Sequence, residues 1–196
     1  MSYYKNIIFQ KIQESDLIDF FELKHYAHAI NMLKLMHRNF QSAQSSNSEH
    51  GPLLQDLICL LEKVDDQLAG LIKLESESLF PFVRKLAEVQ KHQEPIRFLR
   101  VSLISSSIEK IAEEHNHITA LLHSIKKLSN QFMPPVNATE IMKLCFAELH
   151  EFDDIVTNQL TREQNILFPK IRKLEDEVMH KSSIAATGTS GKGMQE

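Results

Sequence analysis

The sequence predicts an all-α chain folded as an antiparallel up-down four-helix bundle, and three observations carry the prediction. Apolar residues recur at three- and four-residue spacing over four long stretches, with almost no strand-type alternation. Only five glycines and six prolines interrupt 196 residues. The connections between the periodic stretches are short, which makes consecutive helices antiparallel neighbours.

The elements follow in order. Residues 3 to 9 form a short opening segment that the pattern does not place. A first long helix should run from Ser15, a good N-cap residue, to the neighbourhood of Asn39. Gln41 to Gly51 reads as a Ser/Asn-rich loop. Pro52 suits an early helical position and opens a second helix through Leu53, Leu57, Leu60, Leu61, Val64, Leu68 and Leu71 to Glu75. Pro81 should bend or restart that helix, with a last turn or two reaching Val89. A third helix should begin near Pro95 and carry Phe98, Val101, Ile104, Ile108, Ile111, Ile118, Leu122 and Ile125. The Pro134-Pro135 pair closes the connection to the last helix. There, Asn137-Ala-Thr-Glu140 reads as an N-cap with its return glutamate. Ile141, Leu144, Leu149, Phe152, Val156 and Leu160 continue that helix. The expected division is an N-terminal extension over 1–19, a bundle over 20–178, and a Ser/Thr/Gly/Ala-rich disordered tail over 179–196.

Composition excludes several function classes. A net charge of −4 and a pI near 6.2 give no basic balance of the kind that recruits nucleic acid. No segment is apolar for long enough to cross a membrane, and the N-terminus lacks signal-peptide architecture. Cys59 and Cys145 stand far apart, so they form neither a disulfide framework nor a Cys-x-x-Cys site. Cytoplasm is the economical location. No Gly-rich phosphate loop or Gly-x-Ser-x-Gly motif is present.

One motif occurs twice. Glu75-Ser-Glu-Ser-Leu79-Phe80-Pro81-Phe-Val83-Arg84-Lys85-Leu86 is matched by Glu163-Gln-Asn-Ile-Leu167-Phe168-Pro169-Lys-Ile171-Arg172-Lys173-Leu174. Self-similarity of this kind implies two equivalent structural units. Each glutamate projects from an apolar stripe, where a charge is costly unless neutralised, hydrogen-bonded or bound to a metal. Paired glutamates on two helices of a bundle are how carboxylate-bridged metal sites are built. The Arg-Lys pairs after each Leu-Phe-Pro read most simply as solvated helix ends that offset the C-terminal dipole.

Ten histidines stand out in a chain of this length. His28 shares a face with Phe21, Met32 and Leu35, His115 lies in the stripe Ile108, Ile111, Ile118, Leu122, and His50 closes the loop before the second helix. A single inward histidine is more often a hydrogen-bonded core residue than a ligand. The combination with two glutamates in a repeated motif favours ligation, and imidazole with carboxylate suits iron, manganese or zinc.

At these residues the chain resembles the haemerythrin-like (HHE) domain, most closely the repair-of-iron-centres di-iron proteins, over roughly residues 20 to 176. The two Glu-x-x-x-Leu-Phe-Pro segments, Glu114-His115-Asn-His-Ile-Thr-Ala-Leu-Leu, the Pro-Pro connection and His25-Tyr-Ala-His28 carry the resemblance. It implies His28, His50 and His115 as imidazole ligands and Glu75 and Glu163 as carboxylates bridging two irons. It further implies a role in iron handling or in nitrosative and oxidative stress, with iron–sulfur proteins, nitric oxide or dioxygen as partners. The family expects a histidine one turn before each glutamate, where this chain has Leu71 and Gln159. Three outcomes follow: a depleted di-iron centre, a mononuclear iron site, or a bundle without metal that serves as a partner- or small-molecule-binding module.

Overall fold

The computed structural model describes residues 13–20, 22, 26–46, 49–92 and 102–188. Every regular element among them is helical: α1 (Glu14–Phe20), α2 (Ala27–Ser46), α3 (Gly51–Leu74), α4 (Phe80–His92), α5 (Ser102–Leu128), α6 (Glu140–Arg162) and α7 (Phe168–Gly188). Two π-helical turns, Glu75–Leu79 and Glu163–Leu167, join α3 to α4 and α6 to α7.

The apolar periods explain the packing. Along α3, Leu54, Leu57, Ile58, Leu61, Val64, Leu68 and Leu71 are buried on one face. On α5 the buried stripe is Ile104, Ile108, Ile111, His115, Ile118, Leu122 and Ile125, alternating steps of four and three. Helix α3 packs against α5 and α2, α2 against α6, and α4 against α7 and α1. A polar contact fixes α2 against α6, where Asn39 Nδ2 donates to Glu148 Oε1 at 2.6 Å.

Several boundaries differ from expectation. The stretch read as a loop from Gln41 continues α2 as far as Ser46. The cap of α6 is Thr139, whose Oγ1 accepts from the Met142 N–H at 3.4 Å, rather than Asn137. Helix α7 reaches Gly188, ten residues into the stretch expected to be disordered, and residues 189–196 lie outside the described residues. Pro95, Phe98 and Val101, expected at the start of the third helix, also lie outside them.

Neither Pro81 nor Pro169 ends its helix. In a regular α-helix a proline ring collides with the carbonyl four residues back. Here a wider turn precedes each proline, with the Phe80 N–H bonded to the Glu75 carbonyl and the Phe168 N–H to the Glu163 carbonyl, five residues back. The wide turn also buries adjacent positions together, Leu79 with Phe80 and Ile166 with Leu167 and Phe168. The Arg-Lys pairs therefore sit inside continuing helices and are not helix ends. Arg84 Nη2 instead donates to Asp19 on α1 and to Glu22 at 2.8 Å, tying α1 to α4.

Candidate metal centre

Both π turns begin on a repeated glutamate, and both glutamates are fully buried. Helix α5 supplies His115, also fully buried, from the middle of its isoleucine stripe. Its ring stacks on Phe168 of the second Leu-Phe-Pro, with centroids 5.6 Å apart and planes 20° apart. Glu75, His115 and Glu163 each offer one ligand atom within 4.8 Å of the other two. His115 Nε2 faces Glu163 Oε2 at 2.9 Å, yet neither atom has a hydrogen-bond partner.

The two carboxylates differ in their surroundings. Tyr26, 3% exposed, donates its hydroxyl to Glu163 Oε1 at 3.1 Å, and Gln159 Nε2 donates to the same oxygen at 3.0 Å. Glu75 has no hydrogen bond to either oxygen. Burial pushes its carboxyl well above the usual carboxylate range, and the negative charges of Glu163 and Glu22 add to that rise. Leu71, one turn earlier on α3, is fully buried.

The structure brings together three of the five residues expected at the centre. His28 is exposed, in a surface groove it shares with His150, Asp154 and Arg162. The reason is helical phase. The inner stripe of α2 is Ala29, Leu33, Met36 and Phe40, which continues back to Tyr26, and His28 lies two residues or about 200° from Tyr26. His50 caps the opposite end of α3, whose 24 residues span about 36 Å. Neither histidine joins Glu75 and Glu163. Tyr26 was missed because it sits between His25 and His28 and offers no standard ligand, though its position on the apolar stripe marks it as inward.

No family model matches the chain. A Haemophilus influenzae protein named as a probable iron-sulfur cluster repair protein is 27% identical over 115 residues, 59% of this chain and 46% of that protein. The chain thus spans about half the length of the relative it matches.

The donor set fits a metal cation. Glu75 Oε1 and Oε2, His115 Nδ1 and Nε2, Gln159 Oε1 and Glu163 Oε2 are all buried without hydrogen-bond partners. Unsatisfied buried polar atoms are rare in folded proteins, and a cluster of them calls for a ligand. Carboxylate oxygens and an imidazole nitrogen are the donors that hold iron, manganese or zinc. Exposed clusters of acidic groups are common without any ion, but Glu75, His115 and Glu163 are all fully buried, with Phe168 stacked on the His115 ring.

Proposed function

We propose that this chain is a metal-binding helical protein of iron handling, acting as iron–sulfur cluster repair proteins do under nitrosative or oxidative stress. The observation that carries the reading is the convergence of Glu75, His115 and Glu163, buried and unsatisfied, on one point. The distant similarity to an iron-sulfur cluster repair protein supports iron as the metal. The helix contacts support a haemerythrin-like four-helix bundle made of α2, α3 with α4, α5, and α6 with α7.

In this reading, bound iron supplies redox chemistry and a binding position for nitric oxide or dioxygen. The protein supplies the rest. Glu75 and Glu163 balance the cation's charge, and His115, held flat against Phe168, adds the nitrogen donor. The surrounding leucine, isoleucine and phenylalanine side chains keep bulk water from the carboxylates, which strengthens their attraction for a cation. Iron–sulfur proteins are the proposed macromolecular partners.

Metal analysis of protein purified without a histidine tag tests the proposal. Iron should be present in the parent and lost in both Glu75→Ala and Glu163→Ala. Equal metal content in parent and variants would overturn it. One observation favours a metal-free alternative, a buried partner- or small-molecule-binding bundle: the 2.9 Å approach of His115 to Glu163 also suits an ion pair. A parent that takes up no iron, manganese or zinc would establish that alternative.

A further inference from the structure

The repeated motif invites a symmetric, two-metal arrangement, but the surroundings of its two glutamates are not symmetric. We infer that Gln159 and Tyr26 together form a clamp that reserves Glu163 Oε1 for hydrogen bonding and so limits the centre to one metal ion. The inference rests on the metal-binding reading above.

The geometry assigns the clamp. A carboxylate that bridges two metals must offer one oxygen to each. Glu163 Oε1 already accepts from Gln159 Nε2 at 3.0 Å and Tyr26 Oη at 3.1 Å, and both donors are buried. A carboxylate oxygen offers about two lone-pair directions, and two donors within hydrogen-bond distance take both, leaving none for a second cation. Only Oε2 is left, and it is the oxygen facing His115 Nε2. On the other copy, Leu71 stands one turn before Glu75 and has no donor atom. The carboxylate and imidazole atoms left for one ion are therefore His115 Nε2, Glu163 Oε2 and both oxygens of Glu75, beside the neutral amide oxygen of Gln159. Gln159 and Tyr26 act through Glu163 and are positioning residues.

A shortage of ligands alone would also give one ion, so the test separates the two causes. Cobalt(II) bound per chain is counted by equilibrium dialysis for the parent, Leu71→His, Gln159→His and the double variant, with circular dichroism confirming the helical fold. The parent should hold about one ion. Leu71→His adds a nitrogen but leaves the clamp, and should stay near one. Gln159→His replaces a clamping donor by a ligand, and with Leu71→His should move the count to about two. A count of two for Leu71→His alone, or for the parent, would overturn the clamp while leaving the metal reading intact. A count of zero in the parent overturns both.

A second arm does not depend on new histidines. Tyr26→Phe with Gln159→Met removes both donors at nearly constant volume. Glu163 Oε1 is then free to reach the ion, so the visible cobalt bands should weaken as an oxygen is added to the coordination shell. An unchanged spectrum overturns the clamp. An intense visible band on loading the parent with iron(III), the mark of a phenolate bound to iron, overturns the assignment of Tyr26 as a donor to Glu163.

Discussion

Glu75 and Glu163 occupy the same place in two copies of one motif, and their neighbours set them opposite tasks in the metal-free protein. Glu163 accepts from Tyr26 and Gln159 and faces His115, so Glu163→Leu strands two buried donors and removes the charge opposite His115. A loss of about 2–4 kcal/mol is expected, measured by urea unfolding with chelator present. Glu75 has no hydrogen-bond partner, and Glu75→Leu extends the apolar row Leu68, Leu71, Leu79. A gain of about 1–3 kcal/mol is expected in the same assay. The pH dependence has a definite sign. With its folded pKa raised above the unfolded value, Glu75 makes the folded state bind more protons between the two, so stability falls as pH rises through that window. The metal-free parent should be more stable near pH 5 than near pH 7, counting from an ordinary glutamate value of about 4.3. Glu148, Asp153 and Glu175 are raised in the same direction by burial, so Glu75→Leu should reduce the slope without abolishing it. A slope unchanged by Glu75→Leu would mean that Glu75 is ionised at no cost. Among the histidines, His115→Ala should remove bound metal, while His28→Ala and His50→Ala should leave metal content unchanged.

At the scale of elements, the two π turns are the local feature that builds the centre. Each places a glutamate at the point where the helix widens, and that widening accommodates the proline six residues on. The sequence made the helices legible through their apolar period, and made Glu75, His115 and Glu163 legible because each interrupts an apolar stripe. It did not reveal the π turns, because a proline inside a periodic pattern reads equally well as a bend or a restart. It misplaced His28 because two stripes on α2 are apolar, one through Leu33, Met36 and Phe40 and a weaker one through Met32 and the half-exposed Leu35. The third helix was expected to end at about Leu128, where α5 does end, but the left-handed residues that follow were not legible. There Asn130, Gln131 and Phe132 take φ of 49°, 59° and 63°, closing the helix with the Gln131 N–H bonded to the Lys126 carbonyl. A left-handed conformation costs a non-glycine residue about 1–2 kcal/mol, and glycine avoids that at a smaller entropic cost. Gln131 is exposed, so Gln131→Gly should stabilise the protein by about 0.5–1 kcal/mol. A lower urea midpoint for that variant would show that Gln131 makes a contact worth more than its strain.

For the molecule as a whole, the centre joins segments far apart in the chain: the end of α3, the middle of α5, the end of α6 and, through Tyr26, the start of α2. Helix α5 touches the first π turn, α7 packs on α4, and Glu75, His115 and Glu163 lie within reach of one another at the π turns and α5. A cation held there binds only when all three segments are in place, so its binding free energy becomes folding free energy. With free metal at a hundredfold excess over its Kd, the stabilisation is about 2.7 kcal/mol. For a chain of this size that corresponds to a rise in melting temperature of about 5–10 °C. The comparison is between chelated and metal-loaded protein by differential scanning calorimetry, in the parent and in Glu163→Ala. The parent should show the rise and Glu163→Ala should not. Metal bound at exposed histidines instead, such as His28 and His150 in their surface groove, would touch only α2 and α6 and would survive Glu163→Ala. A rise of equal size in both proteins would therefore place the stabilising metal on the surface and remove it from the core.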